Sequence, residues 1–309
     1  MASTASDEIV DPVTLVTQAA QAGDAQAQYQ LAARYSAGEG VEQSDAQALV
    51  WLHKAADQNH SMAQNDLGVM YKTGRGVAQD DRHAAYWYRR SAEQGNAMAQ
   101  ANLGALYDDG IGVMRDDRQA VLWYRKAADQ GFADAQNNLG VMYRDGEGIT
   151  QDYPQAIAWF NKAALQGNAE AQNNLGILYQ NGQGVHQDEK QAAAWYRKAA
   201  DQGHDTAQTN LAIMYDSGKG VAQDKKQAAL WYRKAADQGH AVAQNNLGEL
   251  YKNGEGVDQD DKQAVYWYRK AAAQGFAYAQ NNLALMKASG RGTAADAPVA
   301  ARLGKRGAR

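Results

Sequence analysis

The chain has 309 residues, a formal net charge of −4 and no cysteine, so disulfides and thiolate metal sites are excluded and the balance is wrong for a generic nucleic-acid binder. No run of about 18 apolar residues exists to span a bilayer. Only 3 prolines stand among abundant Ala, Gln and Leu, a composition that points to helices.

The N-terminus, MASTASDEIVDPV, carries neither a basic region nor an apolar stretch of the signal-peptide kind. The chain as written is therefore expected in the cytoplasm, or in the periplasm or outside the cell if a leader has been trimmed. Residues 10–22, VDPVTLVTQAAQA, predict a lone helix, so residues 1–26 read as an N-terminal segment with a capping helix.

From Ala27 onward a unit of 36 residues repeats without insertion, starting at Ala27, Ala63, Ala99, Ala135, Ala171, Ala207 and Ala243. These seven copies fill residues 27–278. A degenerate eighth copy begins at Ala279, with Lys287 where the others have Tyr and Leu303 where they have Trp, so residues 279–309 read as last repeat, cap and tail. The phrase WYRKAADQG returns letter for letter at 123–131, 195–203 and 231–239. A period between about 20 and 50 residues marks a solenoid, in which each unit buries its apolar face against its neighbours.

Each unit predicts two helices. In the first, Ala135, Leu139, Met142 and Tyr143 form one stripe of a 3.6-residue period, which stops at Gly146 and Gly148. Asp152 then serves as an N-cap with Pro154 in the first turn, and Ala156, Trp159, Phe160 and Ala163 form the second stripe, ended by Gly167. The tryptophan comes once per repeat, from Trp51 to Trp267, and reads as core. The Arg-Lys pair behind it reads as solvated charge. A mid-helix Gly or Ala recurs in the first helix, at Gly68, Gly104, Gly140, Gly176, Ala212 and Gly248. Because such a glycine costs up to about 1 kcal/mol, it needs a packing reason, and close approach of neighbouring backbones is the one expected.

The combination L-G-x-x-Y, G-x-G-V and A-x-x-W-Y-x-K-A-A resembles the Sel1-like repeat, a relative of the tetratricopeptide repeat. That resemblance implies an all-α fold, a right-handed α-solenoid superhelix of 36-residue helix-turn-helix repeats with the first helices on the concave side. It also implies a protein–protein interaction scaffold or adaptor, with capture or neutralisation of a secreted protein, as a bacterial immunity or host-interaction protein, as the alternative. Two further alternatives are a consensus-like array without a natural ligand and, on the pattern of cysteine-rich relatives, a hydrolase of penicillin-type substrates. No nucleophile signature supports the last.

No catalytic, cofactor or metal site is expected. Asp80-Asp81, Asp116-Asp117 and Asp260-Asp261 recur where second helices begin and read as caps, while His60, His204 and His240 share one loop position and read as solvated. Partner contacts are expected on the first-helix face opposite the core. Asn65, Asn137, Asn173 and Asn245 would form a row of amides able to bond a peptide backbone, with Val69, Val141, Ile177 and Ile213 as a shallow apolar floor. Charge on this face is lopsided: Asp108, Asp109, Asp134, Asp145, Glu170 and Asp216 stand against Arg144, with Lys72 near one end and Gln180 at the same repeat position as Lys72. The expected partner is a protein or peptide with a basic segment, bound to a monomer, with no nucleic acid and no membrane insertion.

Overall fold

The structure, a computed structural model, describes residues 12–292, and the predicted Leu303 replacement and basic tail lie outside them. Within the described residues every regular element is a helix. A ten-residue α1 (Pro12–Gln21) precedes α2 (Ala25–Ala37), α3 (Asp45–Asp57), α4 (Ser61–Thr73), α5 (Asp81–Glu93), α6 (Ala97–Asp109), α7 (Asp117–Asp129) and α8 (Ala133–Asp145). Then follow α9 (Tyr153–Leu165), α10 (Ala169–Asn181), α11 (Glu189–Asp201), α12 (Asp205–Ser217), α13 (Lys225–Asp237), α14 (Ala241–Asn253), α15 (Asp261–Ala273) and α16 (Ala277–Ala288). The chain divides into two compact units, residues 1–162 and 163–309, and in each one consecutive helices pack pairwise as an α-solenoid does.

The turn chemistry explains the constant helix length. Every first helix from α2 to α14 ends on a left-handed glycine, as at Gly146 with φ 75°. The second helix α3 opens on Ser44, and later ones open on an extended aspartate whose carboxylate accepts backbone N–H groups two and three residues on, as at Asp80, Asp116 and Asp260. Asp152 does the same for the Gln155 N–H at 2.9 Å.

In the first unit Trp87 packs with Leu52, Ala55 and Met70, so the indole of one repeat sits on the second helix of the repeat before it. Most of the tryptophans are buried, Trp267 at 2 % exposure. Trp51 and Trp195 are only half-buried. For Trp51 the cause is its support, since it lies over the short α1. The Arg-Lys pair is not simply solvated, as the sequence suggested. Lys126 Nζ lies 4.0 Å over its own Trp123 ring, while Arg125 donates to the Tyr143 hydroxyl of the next repeat at 2.6 Å.

The mid-helix glycine has a different packing reason from the one expected. A Cβ on Gly104 would lie 2.7 Å from the Tyr124 ring, and one on Gly176 2.6 Å from Tyr196. The missing side chain thus seats the aromatic ring of the second helix of the same repeat. Close backbone approach between repeats occurs instead at the loop. At Gly112 (φ +69°) a Cβ would lie 2.1 Å from the Asp81 carbonyl oxygen, and at Gly256 (φ +71°) 2.1 Å from that of Lys225.

Candidate partner-binding face

The first helices carry the face in question, and its residues separate into those that hold repeats together and those that meet solvent. The amide row belongs to the first group. Asn65, Asn137 and Asn173 are 3 %, 8 % and 5 % exposed and Asn245 is buried too, which corrects the expectation of a peptide-binding ladder. Asn102 Nδ2 donates to Asn65 Oδ1 at 3.2 Å and Asn210 Nδ2 to Asn173 Oδ1 at 3.2 Å, so these amides are spent on the joint between successive first helices. The apolar floor is split. Val69 and Ile177 are half-buried and lean on the core clusters, Val141 is half-buried, and Ile213 stays exposed.

The carboxylates divide by unit. In the first unit Asp108 and Asp109 close α6, the first half-buried and the second exposed. The Tyr124 hydroxyl donates to Asp108 at 3.4 Å. Burial, then the charges of Asp109 and Glu147, push the Asp108 carboxyl above the usual carboxylate range. Asp134 is exposed at the start of α8. Asp145 is neutralised by its neighbour: Arg144 Nε and Nη2 reach its two oxygens at 2.8 and 2.7 Å. Lys72 is half-buried near the end of α4. In the second unit Asp216 is paired with Lys225 Nζ at 2.6 Å, Glu170 lies 3.0 Å from His204 Nε2, and Gln180 accepts from the Tyr196 hydroxyl at 2.6 Å. The acidic run read along the chain is thus neutralised in part, at Asp145 and Asp216, and its densest part is the adjacent pair Asp108 and Asp109 at the end of α6.

Two sets of residues on these helices escaped the sequence reading. Met62 and Met98 hold the repeat position of Asp134 and are about half exposed, at 50 % and 49 %. The other is Asp66. It replaces the asparagine that recurs as Asn102, Asn138, Asn174, Asn210, Asn246 and Asn282. The signal was present in the sequence as a break in that run.

The three loop histidines are helix caps rather than solvated side chains. Nδ1 of His60 accepts from the Ala63 N–H at 3.2 Å, Nδ1 of His204 from Ala207 at 3.2 Å, and Nδ1 of His240 from Ala243 at 3.4 Å. Among the described residues no three His, Asp or Glu side chains gather as a metal-ligand set. No helix there is long and apolar enough to cross a membrane.

The sequence matches the Sel1 repeat eight times in succession, over residues 25–60, 61–96, 97–132, 133–168, 169–204, 205–240, 241–276 and 277–309. The chain belongs to the Sel1 repeat family. Members of that family are generally protein–protein interaction scaffolds. This Sel1 repeat protein is similar in structure to a protective antigen present in uropathogenic Escherichia coli strains, with a TM-score of 0.80 and 39 % identity over 89 % of the chain. It spans 59 % of the length of that antigen. It is also similar to a Sel1 repeat protein from Oxalobacter formigenes, with a TM-score of 0.74 and 37 % identity over 89 % of this chain and 79 % of the other. Yeast Tom70 shares the fold alone, at a TM-score of 0.51 and 12 % identity over 90 % of this chain and 58 % of Tom70. No curated protein sequence matches the chain.

Proposed function

We propose that this Sel1 repeat protein is an adaptor that receives a basic segment of a partner polypeptide on the first-helix face of residues 1–162. The observation that carries this reading is the carboxylate group at the end of α6. Asp108 is half-buried there, and the charges of Asp109 and Glu147 act on it against that of Arg115, which is itself engaged by Asp117 at 2.8 Å, so an added cation would relieve the remaining excess of negative charge. Attraction of this kind is screened over roughly 8 Å at physiological salt, so it acts on the rate of association more than on final packing.

The test replaces Asp108 and Asp109 by Asn, which keeps shape and removes two charges. Binding to a lysine-rich peptide is followed by stopped-flow fluorescence across a salt series. The on-rate of the parent should fall steeply with salt, and the variant should start several-fold slower with a flatter slope. Equal rates at every salt concentration would place the binding face elsewhere. A second reading, a host-facing role outside the cytoplasm, is supported by the likeness to the uropathogenic Escherichia coli antigen. Cell fractionation with an antibody to this chain decides it, and recovery wholly in the cytosol would remove it.

A further inference from the structure

Asp66 stands where the repeat calls for a neutral amide. At the matching position later repeats have asparagine, and Asn102, Asn210 and Asn282 each donate to the residue 37 positions upstream. For Asp66 the residue 37 positions upstream is Tyr29, and a carboxylate has no N–H to give it. Asp66 accepts from Asn65 Nδ2 at 3.1 Å, and the Tyr29 hydroxyl approaches it. Among the described residues no Lys or Arg nitrogen lies within 4.0 Å of it. The nearby Arg75 is held by Asp45 at 2.6 Å. Burial raises the Asp66 carboxyl above the usual range, with His60 a small opposing influence.

A cleft opens on this carboxylate between α2 and α4, with a volume of about 320 Å³. Ala33, Ser36, Leu52, Val69 and Met70 help to line it, and so does Arg75, whose guanidinium is engaged by Asp45. Asp66 has neutral donors in Asn65 and Tyr29 but no cation, and a largely buried carboxylate held by neutral donors alone gains from a charged one. With Arg75 already paired to Asp45, largely apolar walls beside one carboxylate that has no cation of its own suit a chain of methylenes that ends in a positive charge. An anion would meet Asp66 directly, and a purely apolar side chain would leave it unmatched.

We propose that the cleft between α2 and α4 is an anchor pocket for one lysine or arginine side chain of a partner, its aliphatic stem on Leu52, Val69 and Met70 and its charged head on Asp66. This rests on the adaptor reading above and fixes where a basic segment is gripped, as distinct from where it is attracted.

The probe is the peptide acetyl-Gly-Gly-Lys-Gly-Gly-amide, with norleucine in place of lysine as control, titrated at low ionic strength into the isotope-labelled full chain and followed by NMR. Asp66→Asn is a safe variant, because asparagine is what six later repeats carry there. The lysine peptide should shift the Asp66 carboxyl resonance and the Val69 and Met70 methyl groups. Binding should weaken at least about tenfold in Asp66→Asn and with norleucine, the loss expected when a charged hydrogen-bonding pair is broken. Equal binding of the two peptides, or of the lysine peptide to parent and variant, overturns the pocket, as does no binding at all. Shifts at Asp108 and Asp109 with none at Asp66 overturn the pocket and leave the adaptor reading standing. Shifts at Asp66 that persist in Asp108→Asn/Asp109→Asn support the pocket and remove the need for the α6 carboxylates.

Discussion

Gln94 Nε2 donates to Gln64 Oε1 at 2.6 Å, across thirty residues, tying the end of α5 to the start of α4 within one repeat. Gln64 in turn donates its own Nε2 to the Ala56 carbonyl at 3.0 Å, closing the C-terminal end of α3. The pattern recurs in the second unit, where Gln238 donates to Gln208 at 2.9 Å and Gln208 to the Ala200 carbonyl at 3.1 Å. Each buried glutamine therefore caps the second helix of the repeat before it and takes a hydrogen bond from the end of its own repeat's second helix.

Gln64→Leu should lower stability by about 1 kcal/mol, because the Ala56 carbonyl loses its buried side-chain donor and keeps the Asn59 N–H, while the exposed Gln94 amide can turn to water. Gln64 is fully buried, so water cannot take its place on the Ala56 carbonyl. Urea melts followed by circular dichroism check this, and a loss no larger than that of Asp109→Asn would show that the ladder contributes nothing.

The capping histidines give the protein a response to mild acid. A cap through Nδ1 needs the neutral imidazole, and burial holds His60 and His240 below the ordinary value of 6.5. Below 6.5 the unfolded chain takes up protons that the folded chain refuses, so stability is full above that pH and declines as the pH falls toward the lowered folded values. Asp66 and Asp108 have the opposite sign: raised in the folded state, they bind a proton first on folding and favour it in acid. His60→Asn with His240→Asn should flatten the decline below 6.5, because Asn168 already caps α10 from this position, accepting from the Ala171 N–H at 2.8 Å. Thermal melts from neutral pH to about one unit below the imidazole value report it. An unchanged slope in the double variant would assign the acid response to other groups.

Two glycines with the same backbone habit should behave differently. Gly112 and Gly131 both have positive φ, yet a Cβ on Gly112 strikes the Asp81 carbonyl while one on Gly131 meets nothing within 4 Å. Gly131→Ala should cost about 1–2 kcal/mol from the left-handed backbone alone. Gly112→Ala should cost clearly more, since the loop must also be pushed off the N-terminal end of α5. The same denaturant melts rank them, and a reversed order would refute the apposition.

Periodicity made the helices, their stripes and most of the tryptophan core legible, because those features depend on spacing within one repeat. What failed depended on which helices pack side by side. A helical wheel puts Asn65 on the side away from Leu67, but successive first helices lie side by side and turn that amide into the seam. The glutamines gave no signal because a polar residue beside Ala63 or Ala207 reads as surface until its partner thirty residues away is known. Lopsided charge was readable as composition. Its neutralisation was not, since the pairing of Asp216 with Lys225 joins two helices across a loop.

The apposition of Gly112 with Asp81 and of Gly256 with Lys225, taken with the glutamine rungs, means that joints in the first unit and joints in the second use the same parts in the same order. An in-frame duplication or loss of one 36-residue copy would bring together surfaces already matched to each other. Such an array can change length by recombination between its own copies without inventing an interface, and its reach toward a partner is then inherited in whole-number steps.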